Sequence, residues 1–306
     1  FAQANSKNGQ HIITSSIEHH AVLHTCEQLE KEGFEVTYLP VDSEGFVDPK
    51  NLEEAIRPDT ILVSIMHANN EIGTIQPIEE LGTICRDKKV AFHVDAVQSA
   101  GVLPINLKEL PVDMLSLSAH KFYGPKGIAA LYVKKGTRIK PIIYGGGQER
   151  GLRAGTHNHA AIVGMAKALE LAISEQEEYA KKITDLRDML IDGILEKIPH
   201  TRLNGPRGDK RLANNVNVSI QYIEGEGILL HLDMLGIAAS SGSACTSGSL
   251  DPSHVLLAIG LSHEIAHGSL RLSLGRENTE EEIKRVLEVL PKIVKNLRAM
   301  SPLYQG

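Results

Sequence analysis

Short unbroken apolar runs alternate with helically spaced apolar residues along the first half of the chain. Strands covered on both faces lose the polar alternation of a surface strand, so such runs favour buried parallel strands. They predict strands over 11–14, 35–39, 60–66, 90–94, 114–118 and 129–133. Helical spacing predicts helices over 21–32, 49–55 and 77–88. Strand and helix alternation implies right-handed crossovers and a mostly parallel sheet.

The pattern changes after Gly155. A long helical region is predicted over 162–198, strands over 214–220 and 270–274, and a helix over 225–235. A last helix begins at Thr279, which forms a capping box with Glu282. We therefore expect a large α/β domain over 1–172, followed by a smaller α+β domain over 173–306.

Charge and composition narrow the class of function. The 306 residues include 32 Lys plus Arg and 38 Asp plus Glu, a formal charge of −6, which argues against nucleic acid or an anionic membrane as the main partner. No stretch reaches the roughly 18 apolar residues that span a bilayer. The three cysteines are far apart, which argues against disulfides or a zinc site and suits a reducing, cytoplasmic location.

Two polar positions lie at the ends of predicted strands, where open α/β sheets bind ligands. Lys121 follows Ser118 and His120. A surface lysine is the ordinary interpretation, but these neighbours favour a functional role. Asp95 ends an apolar strand, and a carboxylate there can cap a helix, bind a metal or hold a cationic nitrogen. A PLP (pyridoxal 5′-phosphate) enzyme needs such an Asp beside the pyridine nitrogen.

Cys245 lies in a segment, 240–249, whose other residues are all Ser, Gly, Ala or Thr. Such a segment cannot pack a core, so its thiol is expected to be accessible, as a nucleophile must be. An incidental loop cysteine is the alternative. Cys26 and Cys85 fall on apolar helical faces and are expected to be buried.

Histidines and one arginine are further candidates. The chain has 14 histidines but no HExxH spacing, and the one HxH pair, His157 and His159, has no Cys or acidic neighbour in sequence, so we expect no metal site. Arg271 in a late strand is suited either to a bidentate pair with a carboxylate or to an ordinary structural ion pair.

Several motifs occur in one order along the whole chain and together resemble the cysteine desulfurases of the housekeeping iron–sulfur and nitrogenase-associated type, within the class-V aminotransferases. These motifs are Glu18-His-His-Ala-Val22, His67-Ala-Asn-Asn-Glu-Ile-Gly73, His93-Val-Asp-Ala-Val-Gln98, Ser118-Ala-His-Lys121, Gly145-Gly-Gly-Gln-Glu-Arg150, Arg153-Ala-Gly-Thr156 and 240–249. The resemblance implies the type I fold of PLP-dependent transferases and a homodimer. It also implies conversion of L-cysteine to L-alanine.

The resemblance assigns five residues to the cofactor ring. Lys121 holds PLP covalently and later moves protons. Asp95 pairs with the pyridine nitrogen, and His19 stacks on the ring and does acid–base work. Asn70 and Gln98 contact the side of the ring hydroxyl, and Asn70 also lies beside the substrate.

It assigns five more residues to the phosphate and the substrate. Ser118 and His120 hold the phosphate, and Thr156 reaches the cofactor of the partner subunit. Arg271 clamps the substrate carboxylate. Cys245 attacks the substrate sulfur and becomes a persulfide, which supplies an iron–sulfur scaffold protein or another sulfur acceptor.

One departure and two alternatives accompany the resemblance. Family members begin with a further segment that carries a phosphate-cradling turn, and no such motif precedes the predicted strand 11–14. We therefore expect an incomplete N-terminus and weak PLP retention by this chain alone. A selenocysteine lyase or related PLP enzyme is one alternative, and a non-catalytic fragment of the fold is the other. Cys245 argues against an aminotransferase, and Lys121 and Asp95 argue against a non-catalytic fragment.

Overall fold

The computed structural model describes residues 1–242 and 252–304, which group into two compact units. Unit 1 comprises Phe1–Pro40, Val47–Ala68 and Gln76–Gln176. Unit 2 comprises Val41–Phe46, Asn69–Ile75 and the chain from Glu177. Two short early segments therefore belong to the second unit. The predicted domain division between 1–172 and 173–306 stays a prediction.

Unit 1 is built on a six-stranded sheet with the order β2-β1-β3-β4-β5-β6. Strands β1 to β5 pair in parallel, and β6 pairs antiparallel with β5. The strands are β1 (His11–Ser15), β2 (Glu35–Leu39), β3 (Thr60–Met66), β4 (Ala91–Asp95), β5 (Met114–Ser118) and β6 (Ala129–Val133). The helices are α1 (Ala2–Asn5), α2 (His20–Lys31), α3 (Pro49–Ala55), α4 (Ile78–Lys88) and α5 (His159–Ser174).

The apolar runs form the central strands because both faces of these strands are covered. In β3 all residues but one are buried, and β1 is buried along its whole length. Ile13, Val63, Ile65, Phe92 and Val94 are inaccessible to solvent. The predicted mostly parallel sheet is therefore present, and the carboxyl ends of β1, β3, β4 and β5 lie along one edge of it.

The predicted helical region over 162–198 is divided in the structure. Helix α5 ends at Ser174 and α6 (Gln176–Lys197) begins two residues later. Glu175 adopts φ −100° and ψ 0°, and its backbone N–H still bonds to the carbonyls of Leu171 and Ile173. Because neither glycine nor proline occurs at this position, no residue type in the sequence indicates the break.

Unit 2 is built on an antiparallel sheet in the order β7-β8-β9. Its strands are β7 (Thr201–Leu203), β8 (Asn215–Ile220) and β9 (Ser269–Ser273), and its helices are α6, α7 (Gly225–Asp233), α8 (His254–Ala258), α9 (His263–His267) and α10 (Glu280–Met300). Val216, Val218 and Leu270 of the sheet share a core with Leu190 of α6 and Leu290 of α10. The predicted capping box of Thr279 and Glu282 is present. Within 1–242 and 252–304, no helix is long and apolar enough to cross a membrane.

Gly82 fixes how closely α4 packs beside the strands that lead to the candidate site. A Cβ at this position would lie 2.6 Å from the carbonyl oxygen of Pro111 and 3.0 Å from Cδ1 of Phe92. Phe92 belongs to β4, and Pro111 precedes β5. The helix therefore approaches the backbone at a distance that only glycine permits.

The added methyl group of Gly82→Ala must displace backbone, which costs about 1–3 kcal/mol. The gain in helix propensity offsets roughly 1 kcal/mol of this cost, so we expect a net fall in the free energy of unfolding of up to about 2 kcal/mol. Thermal unfolding measures it. Asp87→Ala, an exposed change in the same helix, is the control and should leave the unfolding temperature nearly unchanged. An alanine variant as stable as the wild type would contradict this packing.

Candidate active site

The predicted ligand-binding residues of unit 1 follow the ends of neighbouring strands. His19 follows β1, Asp95 ends β4 and Ser118 ends β5. Backbone hydrogen bonds continue past these ends: His67 N donates to Asp95 O at 2.9 Å, and Ala96 N donates to Ser116 O at 2.9 Å. The sheet edge is therefore ordered where the polar side chains emerge.

Asp95 is a partly exposed carboxyl at the end of β4, and Lys121 and His19 lie near it. Its Oδ1 accepts a hydrogen bond from Val97 N at 2.9 Å. Burial raises the pKa of Asp95, and the Val97 hydrogen bond and the charges of His19 and Lys121 oppose this rise without cancelling it. A carboxylate in such a place is stabilised by a cation in direct contact. The protonated nitrogen of a pyridine ring fits this requirement, whereas the turn contact to Val97 occupies only one oxygen.

Lys121 lies on a short 3-10 helix, Ala119–Phe122, directly after β5. Its side chain is exposed, as the ordinary interpretation of a lysine after a strand expects. Its positive charge nevertheless acts on the carboxyl of Asp95 and on the imidazole of His120, so the amine lies near both groups. This position suits an amine that must be reached by a cofactor and a substrate.

Ser118 and His120 form a polar pair beside Lys121. Ser118 Oγ lies 2.9 Å from His120 Nδ1. Partial burial, with the charges of Lys121 and Lys126, lowers the pKa of His120. A phosphate dianion beside these groups would raise the pKa of His120 and would be attracted by both lysines. The pair therefore fits a phosphate site.

His19 has a defined tautomer. It is the N-cap of α2, and its Nδ1 accepts a hydrogen bond from Ala21 N at 3.1 Å. Because Nδ1 supplies its lone pair to this bond, the neutral ring carries its proton on Nε2. The helix cap thereby orients the ring and selects the nitrogen that can donate a proton.

Gln98 and Thr156 have less to support their predicted roles. Gln98 is partly buried in the turn after β4, and Thr156 is exposed in the segment before α5. Within 1–242 and 252–304, neither side chain forms a hydrogen bond. Their roles stay predictions.

Unit 2 holds the predicted substrate-binding residues Asn70 and Arg271. Arg271 Nη1 donates to Asn70 O at 3.4 Å and to Gly242 O at 3.2 Å. Its Nε is buried and has no hydrogen-bond partner among the described residues. A guanidinium with a buried donor still to be satisfied fits a carboxylate ligand better than a completed structural ion pair.

Two of the three cysteines are buried, as the sequence predicts. Cys26 and Cys85 are buried, and burial raises the pKa of each thiol to about 12. Neither can supply a thiolate near neutral pH. Cys245 lies outside the described residues, so its predicted role as nucleophile stays a prediction.

Sequence reasoning missed two polar groups in the sheet of unit 1. Glu18 is fully buried, and its Oε1 accepts hydrogen bonds from Ser15 Oγ at 2.6 Å and Met66 N at 2.9 Å. Burial raises the pKa of Glu18 from 4.5 to about 8, so at neutral pH this carboxyl is mainly protonated. The motif Glu18-His19-His20 pointed to this position without distinguishing the buried acid from its neighbours.

The second missed group is His93, two residues before Asp95 on the same side of β4. Its Nδ1 lies 2.8 Å from Ser64 Oγ and its Nε2 lies 2.9 Å from Ser116 Oγ, so it bridges β3 and β5. Burial lowers the pKa of His93 to about 4, and the ring is therefore neutral. The period of two along a strand is the signal that could have identified it.

The alternative of a metal centre gains no support. Among the described residues there is no group of three or more His, Cys, Asp or Glu that could hold a metal ion. The rings of His157 and His159 lie nearly parallel with centroids 6.1 Å apart, and His157 Nε2 contacts Glu149 Oε1 at 3.0 Å.

Comparisons with known proteins identify the family of the chain. The family model for aminotransferase class-V matches residues 1–286. Cysteine desulfurase IscS of Clostridium botulinum is 61% identical over 306 residues, which are 100% of this chain and 77% of that protein. The protein of the same name from Methanosarcina thermophila is 62% identical over 303 residues, 99% of this chain and 74% of its own length. A solved NifS-like protein superposes with a TM-score of 0.89 at 43% identity, over 97% of this chain and 78% of that structure. The predicted fold class is thereby confirmed.

Glu18 gives this site a pH-dependent effect on stability. Between about pH 4.5 and 8 the unfolded chain has released the Glu18 proton while the folded chain retains it, so stability from this group falls as pH rises. Glu18→Gln keeps the shape but cannot titrate. We expect the unfolding free energy of the variant, relative to that of the wild type, to increase from pH 5 to 8. The increase should be at most about 1.4 kcal/mol per pH unit. Urea unfolding at several pH values measures this change.

Glu27→Gln, an exposed change on α2, is the control and should differ from the wild type by a constant amount across the same range. A difference for Glu18→Gln that is equally independent of pH would contradict a buried, protonated carboxyl.

Proposed function

The chain belongs to the class-V aminotransferase family and is a PLP-dependent cysteine desulfurase, and from this premise we propose which of its residues perform the reaction. The family, activity and cofactor predicted from the sequence are confirmed. The observation that carries the residue assignment is the Asp95 carboxyl at the end of β4, whose pKa is raised by its withdrawal from solvent, with the Lys121 amine and the His19 ring near it.

The cofactor is held by residues at the carboxyl edge of the unit 1 sheet. When bound, PLP supplies an electron sink for the carbanion at the substrate α-carbon. Asp95 would keep the pyridine nitrogen protonated, and Lys121 would anchor the cofactor covalently through its amine. Ser118 and His120 would bind the phosphate with neutral donors, and the charge of the adjacent lysine would add attraction.

Proton movement at the substrate falls to Lys121 and His19. The Lys121 amine would act as the base that removes the α-proton of the substrate. His19 has Nδ1 engaged by Ala21 N, so Nε2 is the atom through which it donates or accepts a proton above the ring. The resemblance to the family assigns Gln98 and Asn70 to the side of the ring that would carry the hydroxyl.

The substrate is L-cysteine, and its carboxylate is bound by Arg271. The buried Nε of this guanidinium, together with its adjacent Nη2, provides two donors in the fork that matches a carboxylate. Nη1 is already used by two backbone carbonyls, which hold the fork in one orientation.

Cys245 accepts the sulfur. Its thiolate attacks the substrate sulfur, an S–S bond forms, and the Cβ–S bond breaks. The electron pair of that bond remains with the substrate carbon skeleton, and Cβ takes up a proton, so that alanine is released. Oxidation of the transferred sulfur is balanced by reduction of Cβ, and no external oxidant is needed.

The partners follow from surface and chemistry. Ile142, Tyr144 and Val163 of unit 1 are exposed apolar residues, which favours an interface with a second copy of the chain, where Thr156 would reach the partner's cofactor. The persulfide serves an iron–sulfur scaffold protein or another sulfur acceptor. A cytoplasmic location suits a persulfide-forming thiol and the reduced thiols Cys26 and Cys85.

Lys121→Ala and Cys245→Ser are expected to fail at different stages. The lysine variant should lose the borohydride-reducible link to PLP and lower alanine production at least about 10²-fold, because it lacks both anchor and base. The cysteine variant should retain PLP and bind L-cysteine, yet form no persulfide. Peptide mass mapping after reduction, with persulfide detection, measures both.

Lys126→Ala removes a neighbouring lysine and is the matched control, which should keep the reducible link. A link found on Lys126 would contradict the anchor assignment, and undiminished sulfur transfer by Cys245→Ser would contradict the nucleophile.

A further inference from the structure

We propose that Asn217 is a positioning residue for the substrate carboxylate, because its side-chain amide holds the backbone against which Arg271 orients its guanidinium. The inference rests on the proposed role of Arg271 as the carboxylate clamp. Asn217 lies on β8 and Arg271 lies on β9. Both residues belong to unit 2, as does the segment Asn69–Ile75 that they contact.

Asn217 and Arg271 are directly opposite each other in the antiparallel pair of β8 and β9. Residues opposite each other in such a pair project their side chains from the same face of the sheet. Arg271 exchanges both of its backbone hydrogen bonds with Ser240, at 3.0 and 2.6 Å, and therefore none with Asn217. Opposite residues that exchange no backbone hydrogen bonds have the closer side chains. The amide and the guanidinium are therefore neighbours.

The amide of Asn217 is held in one orientation. Its Nδ2 donates to Glu71 O at 3.0 Å, and its Oδ1 accepts from Asn204 Nδ2 at 2.8 Å. Asn217 and Asn204 are both inaccessible to solvent. Because the oxygen faces a donor and the nitrogen faces an acceptor, a flipped amide would lose both hydrogen bonds.

Two consecutive backbone carbonyls are bound by these side chains. Glu71 O accepts from Asn217 Nδ2 and, at 2.9 Å, from Asn215 Nδ2. Asn70 O, one residue earlier, accepts from Arg271 Nη1 at 3.4 Å. A carbonyl oxygen has two lone pairs, so Glu71 O is held by two donors at once. Asn217 thereby restrains the peptide whose preceding carbonyl binds Arg271.

The guanidinium of Arg271 takes its direction from this restraint. Its Nη1 donates to two backbone carbonyls, Asn70 O and, at 3.2 Å, Gly242 O. Its buried Nε has no hydrogen-bond partner among the described residues, so that side of the fork is left for a ligand. Two parallel hydrogen bonds to a carboxylate require an aligned fork. Loosening Asn70 O should therefore weaken binding of the carboxylate more than binding of the rest of the substrate.

Two ligands that differ only at the carboxylate measure this contact. L-alanine carries the carboxylate, and L-alaninamide has a neutral amide in its place. Neither contains sulfur, so Cys245 takes no part in the measurement. Titration of the PLP-saturated protein, followed by the absorption of the bound cofactor, gives a dissociation constant for each ligand. The constant for L-alaninamide divided by that for L-alanine is the preference for the carboxylate.

We expect Asn217→Thr to lower this preference at least about threefold, because one hydrogen bond to Glu71 O is lost. Threonine is neutral, similar in volume and favoured in strands, but its hydroxyl is too short to reach that carbonyl. Affinity for L-alaninamide should change by less than about twofold.

Ser219→Ala on the same strand is the matched control. It removes the other hydrogen bond of Asn204 Nδ2, at 2.8 Å, while the bonds to both carbonyls remain. Its preference for the carboxylate should stay within about twofold of that of the wild type. An unchanged preference in Asn217→Thr, or an equal fall in Ser219→Ala, would overturn the inference.

If Asn217→Thr does not fold, Asn217→Asp decides the matter. Its carboxylate still accepts from Asn204 Nδ2 but cannot donate to Glu71 O. A fall of at least about threefold is again expected, and an unchanged preference rejects the role of Asn217.

Arg271→Leu tests the premise separately and should lower the preference at least about tenfold, because hydrogen bonds between charged groups are lost. An unchanged preference in this variant would overturn the proposed role of Arg271 and the inference with it. An unchanged preference in Asn217→Thr alone leaves the proposed function intact.

Discussion

A carboxylate at the end of β4 that is largely withdrawn from solvent is the constraint on which the catalytic edge of the sheet depends. Asp95 loses most of its hydration, and the Val97 N–H together with the charges of Lys121 and His19 does not fully compensate for that loss. The sheet around it is ordered by hydrogen bonds that continue past the strand ends. A site with this electrostatic deficit is preorganised for a cationic ring nitrogen, because the cost of burying the carboxylate is met during folding.

Glu18 and His93, two titratable groups near Asp95, add no charge of their own, so the negative charge of this region lies on Asp95. Glu18 is buried within reach of the field of Asp95, and its raised pKa leaves it mainly protonated at neutral pH. His93 is held between two serine hydroxyls, and its lowered pKa leaves it neutral. Both therefore provide hydrogen bonds to the sheet without adding charge that would compete with the cofactor.

Much of this architecture could be predicted from the sequence, for physical reasons that differ by element. The strands 35–39, 60–66, 114–118 and 129–133 have the predicted bounds, because apolar runs end where turn residues begin. Strand β7 has only three residues, too few for any periodicity to be detected. The division between α5 and α6 has no glycine or proline to mark it.

The candidate site shows the same limit. Asp95, Lys121 and Ser118 could be proposed from the sequence because each lies at or just after the end of a strand that the apolar pattern identifies. Asn217 could not, because Glu71, whose carbonyl it binds, lies 146 positions away and only the folded chain brings them together. Predictions from local pattern identify groups that emerge from regular elements, whereas groups that join distant segments require the structure.

The state of the cofactor's ring nitrogen tests the central claim most directly. PLP labelled with ¹⁵N at the pyridine nitrogen can be bound to the enzyme and observed by NMR at neutral pH. The account predicts a protonated nitrogen in the wild type and an unprotonated one in Asp95→Asn. An unprotonated nitrogen in the wild type, or an unchanged signal in Asp95→Asn, would contradict it.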